Sequence, residues 1–265
     1  MTPAWRAVGR EIDLAAAQVR SGIVALGKAN HGNLGFYSQA FFGLSNGIER
    51  MAKLAIVGDY MLKHDGKFPS NGDLKRFGHN LKSALDKCAT FSASYAEAPY
   101  TERPNDPIHY AVVRVLGEFA SCSRYYNVNF LSGARGGDEP VATWWEDVVG
   151  PILQRHLAPS AKARIEAKAD QFQQDFGPLV TVVQHEEDES EIRDVHAWVR
   201  SYEATRLAQR YGRLYVLQIV RWLAAILTGQ SRKCMERGFD AFFYLHETTG
   251  LLLQNDQYFK TRKSI

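Results

Sequence analysis

Between Leu34 and Lys63 the side chains Tyr37, Phe41, Leu44, Ile48, Met51, Ala52, Ala55 and Tyr60 recur at steps of three and four, which lays them along one side of a long helix. The run His64-Asp65-Gly66-Lys67-Phe68-Pro69 ends it, with glycine and proline as punctuation. A second helix is expected from Ser70-Asn71-Gly72-Asp73, where small polar caps precede an acid in the first turn; its seam is Leu74, Phe77, Leu81, Leu85 and Cys88. Two amphipathic helices joined by so short a loop predict an antiparallel hairpin.

Asp106-Pro107 announces a third helix, an acid at the cap and proline at the first helical position, with Ile108, Val112, Val115, Phe119 and Tyr126 on its apolar side and an end near Ser132-Gly133. A glycine-rich connector, Gly133 to Pro140, leads to two shorter helices, Thr143 to Leu157 and Ala161 to Phe176. Gly177-Pro178 breaks the pattern. Leu179 to Val183 is the one β-branched run, too isolated to build a sheet, and reads as a loop or a helix start. The acidic run His185 to Glu191 reads as a solvated turn before a helix amino terminus. Glu191 to Thr228 then forms one long or once-broken helix, Ser231 to Gln254 its return partner, and Asp256 to Ile265 a polar, basic tail. With no internal repeat, the expected fold is an all-α multi-helix bundle with a long carboxy-terminal helical hairpin. It is read as one domain over residues 1–265; any boundary falls between 157 and 191.

Composition supports this, because 265 residues with 45% hydrophobic side chains can bury a sizeable core. The formal charge of +3, from 32 basic and 29 acidic residues, lacks the field of a dedicated nucleic-acid coat, so any contact with nucleic acid has to be local. Cys88, Cys122 and Cys234 form no Cys-x-x-Cys pair and fall in apolar helical patterns, as small hydrophobes in a reducing, cytoplasmic compartment would. The richest apolar stretch, Leu214 to Leu227, is interrupted by Gln218 and Arg221, so no membrane span is expected. Glu11 and Asp13 follow the first ten residues where a secretory signal would be apolar.

Three groupings carry candidate chemistry. His79 lies about 140° from Leu74 and about 160° from Leu81 on an ideal helix, off the seam, and shares its side with Arg76, Ser83 and Asp86. Such a polar stripe orients an imidazole, or is simply a solvated face. Glu49 and Lys53 sit four apart on an otherwise apolar helix; a buried Glu49 carboxylate would need a partner such as His79. Arg103 and His109 form an Arg-x5-His pair in which the dipole of the third helix keeps the imidazole neutral and the arginine holds a phosphate; a loop arginine and a capping-box-like histidine is the plainer alternative. On the carboxy-terminal helix Arg206, Arg210 and Arg213 make a stripe that either tracks a phosphate backbone, with Tyr211 or Tyr215 for stacking, or pairs with the acidic run. Nucleotide-hydrolysing loops, dinucleotide fingerprints and His-Glu-x-x-His are absent from the sequence, so neither cofactor nor metal is expected.

Glu49-Arg50-Met51-Ala52-Lys53 on a hydrophobic helix, a loop ending in Phe68-Pro69, and then Gly78-His79-Asn80-Leu81 resemble the HEPN superfamily of helical bundles, whose members carry a Glu-x-x-x-Lys helix followed by a His-Asp/Asn-Leu helix start. The resemblance spans about 60 residues. It implies a bundle that commonly forms a homodimer and, in catalytic branches, a metal-independent endoribonuclease with an Arg-x4-6-His motif, frequent in bacterial toxin and antiphage systems with a cognate antitoxin. Arg103 and His109 have that spacing, and Glu49, Lys53, His79 and Asn80 form the accompanying polar cluster. The residue after the arginine is Pro104, where catalytic members usually carry Asn, Asp or His. Many members are non-catalytic RNA-binding or partner-binding modules, which is the alternative function.

Overall fold

The computed structural model describes residues 2–75, 77–134, 138–187 and 190–262. The elements expected from the sequence begin at Leu34, yet helix α1 (Pro3–Leu26) is 24 residues long, with the Thr2 hydroxyl capping Trp5 N–H and proline at its first position. It lies along α2 (Gly35–Lys63), and the approach is close because of glycines. A Cβ at Gly43 would stand 2.8 Å from the Gln18 carbonyl oxygen, and one at Gly47 would stand 2.7 Å from Val19 Cγ2. Arg50 closes the pair with an ion pair to Glu11 at 2.6 Å.

The second helix departs from its expectation. It is two pieces, α3 (Asn71–Lys75) and α4 (Leu81–Ala89), separated by a turn in which Gly78 has φ 48°. Asn80 caps α4 by accepting Ser83 N–H. Helical periodicity does not register such a break, because Leu81, Leu85 and Cys88 still reach the core while Leu74 and Phe77 pack at its edge. His79 therefore lies in a turn and not on a helix face. Arg76 falls outside the described residues.

Helix α5 (Pro107–Ser121) starts where Asp106-Pro107 places it but stops well short of Ser132. A single 3-10 turn, Ser123–Tyr125, and the short α6 (Tyr126–Leu131) follow, leaving Val128, Phe130 and Leu131 exposed. Then α7 (Pro140–Trp144), a π turn (Trp145–Val149) and α8 (Gly150–His156) run on from one another, and α9 (Pro159–Phe176) returns. Residues 177–183 are loop. β1 (Gln184–His185) and β2 (Glu191–Ile192) pair antiparallel, Gln184 opposite Ile192, as the only strands among the described residues. The acidic run is thus a hairpin and not a solvated turn throughout, since Glu187 is buried; Asp188 and Glu189 lie outside the described residues.

The carboxy-terminal hairpin is a second correction. Helix α10 (Val195–Arg237) is unbroken for 43 residues, and its return is a 3-10 turn (Asp240–Phe242) and two short helices, α11 (Leu245–Gly250) and α12 (Asp256–Thr261). Gly229 stays helical, and the helix stops at Gly238, which adopts φ 73° and donates its N–H to the Cys234 and Met235 carbonyls. From Leu214 to Ser231 α10 is buried nearly all round, the axle on which α1, α2, α5 and α8 pack. Phe41, Trp144, Trp222 and Phe242 fill the space between them. A smaller cluster of Ala169, Val195 and Val199 joins α9 to the first turns of α10. Cys88 and Cys234 are core residues, but Cys122 is exposed, contrary to expectation. Among the described residues no helix is long and apolar enough to cross a membrane.

Candidate functional site

The turn before α4 is tied to α2 by one polar cluster. Lys53 Nζ donates to Glu49 Oε1 at 2.6 Å and to the Gly78 carbonyl at 2.7 Å, so the left-handed glycine places its oxygen over a lysine one helical turn past the acid. His79 Nδ1 stands 3.2 and 3.4 Å from the two Glu49 oxygens. Glu49 is 8% exposed, and a carboxylate in that position requires these donors. Asn80 is spent on the cap.

Beside this cluster, between α4 and α5, opens a cleft of about 520 Å3. Its floor is Leu81, Val113 and Gly117; His79, Lys82, Arg103 and Arg114 stand on its rim with Tyr110, half of whose surface is exposed. The Arg103 guanidinium lies 5.6 Å from the Tyr110 ring centroid. Asp86 holds two rim cations at once, Arg103 at 2.5 Å and Lys82 at 2.7 Å. Burial alone would raise the Asp86 carboxyl, but the hydrogen bonds from Lys82 and Arg103 outweigh it and hold the group below the usual carboxylate range. Arg114 is shared between Glu118 and Asp147.

No hydrogen bond joins Arg103 to His109 among the described residues, although the guanidinium is near enough to act on the imidazole electrostatically. His109 is 7% exposed and serves a capping box at the start of α5: its Nδ1 accepts the Asp106 N–H at 3.2 Å while Asp106 accepts Ile108 N–H. Its Nε2 lies 2.7 Å from Gln218 Oε1 on α10, and its ring meets Tyr215 edge-on at 5.1 Å. Burial lowers its pKa, with a smaller push the same way from the Arg103 charge, against the pull of Gln218, Asp106 and Asp256. The imidazole is neutral, but both nitrogens are occupied. On α10, Arg206 pairs with Glu203 and Arg210 is exposed near Tyr211, whereas Arg213 is buried, donating to the Gln209 and Arg262 carbonyls. Arg206 therefore finds its acid on its own helix instead of in the 185–191 run, and the three arginines do not share one surface.

Two residues of the region escape the sequence patterns. Tyr110 is one position after His109 and faces the other way; Arg124, in the 3-10 turn after α5, comes back to border Glu49 and His79. Spacing within one helix carries no information on either contact. Comparison of the chain with protein-family models, curated proteins and solved structures finds no match, so the site rests on its own geometry.

Proposed function

We propose that this chain is a HEPN-like RNA-binding module whose ligand is single-stranded RNA, held in the cleft between α4 and α5. The observation that carries this reading is the cleft itself: an apolar floor, an exposed tyrosine, and three cations from separate segments around one opening. A splayed base stacks on Tyr110 and the floor, while backbone phosphates meet Lys82, Arg103 and Arg114. Asp86 occupies the place of a phosphate between Lys82 and Arg103, and exchange of that carboxylate for a backbone phosphate is the binding event. His109, with both nitrogens engaged, fastens α5 to α10 and takes no part in proton transfer.

Anisotropy of a labelled single-stranded RNA at several salt concentrations tests this. Arg103→Ala and Lys82→Ala should each weaken binding and flatten the slope of log affinity against log salt by about one. Tyr110→Ala should cost about 1–3 kcal/mol of binding with the slope unchanged. Arg206→Ala with Arg210→Ala should change neither quantity. Full affinity after the Arg103 and Tyr110 substitutions would remove the cleft as the binding surface.

A further inference from the structure

A second concave site shares no lining residue with the cleft between α4 and α5. It lies where α8, α9, α10 and the turn after β1 converge, and its volume of about 540 Å3 falls within the roughly 300 to 1,000 Å3 of small-molecule sites. Trp145, Leu153, Leu157 and Ile165 give it an apolar wall. The Trp145 indole N–H donates to the Tyr37 hydroxyl at 2.9 Å, so the ring is held in place and brings no free donor to this space. Trp145 also opens the π turn, a backbone form that recurs at functional sites. Charges of both signs stand around the wall. Glu186, half-buried, accepts the Ser201 hydroxyl at 3.0 Å, and among the described residues no cation pairs with it. Lys162 has no carboxylate partner among the described residues, although Glu166 is one turn further along α9; Glu166 pairs instead with Arg200 Nε at 3.1 Å and His196 Nε2 at 3.4 Å. An anion and a cation thus line one cavity without neutralising each other, and Arg200 adds a second cation whose terminal N–H groups are unpaired among the described residues.

We propose that this cavity binds a short apolar peptide with free termini. The peptide ammonium donates to Glu186, its carboxylate accepts from Lys162 and Arg200, and its side chains lie against Trp145, Leu153, Leu157 and Ile165. The ligand supplies to each unpaired group the partner that the fold withholds. A single amino acid carries its two charges side by side, whereas Glu186 and Lys162 stand too far apart to pair, so poles separated by a peptide bond fit this cavity better. A peptide bound there ties α9 to α8, α10 and the hairpin at once. The proposal is independent of RNA binding in the cleft.

Isothermal titration calorimetry of the full chain with L-leucyl-L-leucine tests this, with the N-acetylated, C-amidated and doubly blocked forms and free L-leucine as controls. The free dipeptide should bind saturably below about 1 mM, and blocking either end should weaken binding by about tenfold or more. Glu186→Gln still accepts the Ser201 hydroxyl; it should cost the free dipeptide about tenfold and leave the acetylated form unchanged. Lys162→Gln should weaken the free dipeptide several-fold and leave the amidated form unchanged. In hydrogen exchange, saturating dipeptide should protect the amides of α9 more than those at the centre of α10. Equal affinity for the free and doubly blocked dipeptides would reduce the cavity to an apolar surface and overturn the proposal. So would free leucine binding as tightly as the dipeptide, or no saturable binding by the wild type at several millimolar.

Discussion

Glu187 shows what a single side chain hides from a reading of spacing. It belongs to an acidic run that looks solvated, yet it is 3% exposed, and the Tyr37 hydroxyl donates to it at 3.1 Å while accepting from Trp145 Nε1 at 2.9 Å. Burial is the main cause that pushes its carboxyl from 4.5 up to about 7; Tyr37 and backbone N–H groups offset part of this, and Glu186 adds to it. A carboxyl whose pKa is higher folded than unfolded stabilises fully below 4.5 and loses that contribution as pH rises toward 7. At the limit the loss is about 3 kcal/mol. Urea unfolding at pH 5 and pH 8 should therefore show the wild type losing stability that Glu187→Gln keeps; equal losses in both proteins would contradict the assignment. Glu49, Lys53 and His79 were more legible, since four-residue spacing and a Gly-His-Asn-Leu turn are local signals. Arg124 and Tyr110 were not, because what they touch is decided by where α5 ends and which way it faces.

At the scale of elements, the strong starts were readable and the quiet ones were not. Asp106-Pro107 and Asn80 mark α5 and α4 through side-chain caps that need no tertiary partner. Helix α1 is the exception: Val8, Ile12, Val19, Ile23 and Leu26 recur at steps of three, four and seven on its buried side, a local signal as regular as that of α2. Gly229-Gln230-Ser231 looked like the bend of a hairpin, yet the glycine is mid-helix for packing: a Cβ there would stand 2.0 Å from the Tyr95 carbonyl oxygen. Gly229→Ala should cost roughly 1–3 kcal/mol or more, because backbone has to move. Gly9→Ala in α1, where nothing lies within 4 Å of the new atom, should instead gain about 0.5–1 kcal/mol. Thermal unfolding of the two variants should move in opposite directions, and a stable Gly229→Ala would show that α10 does not run this close to Tyr95.

Over the whole molecule stability is uneven, and the sequence hinted at this only as a place between 157 and 191 where a boundary could fall. The main core gathers α1, α2, α5 and the centre of α10, while α9 meets the first turns of α10 through the small cluster of Ala169, Val195 and Val199 with Phe172, Val182 and Trp198 at its edge. Its polar ties include a hydrogen bond from His196 N–H to the Gln173 side chain, contacts of His196 with Glu166 and Asp170, and the ion pairs of Lys168 with Glu203 and Arg200 with Glu166, the exposed pairs being worth about 0–1 kcal/mol each. Burial of that size does not hold an 18-residue helix as firmly as the axle of α10 is held. Amides of α9 and of Val195 to Val199 should thus exchange through openings of lower free energy than those of Leu214 to Ser231, and equal protection would contradict a two-tier core. Glu187 couples the tiers, since its side chain pins the hairpin that follows α9 against Tyr37 of α2. After correction for intrinsic rates, opening of α9 should become easier between pH 5 and pH 8, and Glu187→Gln should abolish that dependence while leaving the axle unchanged.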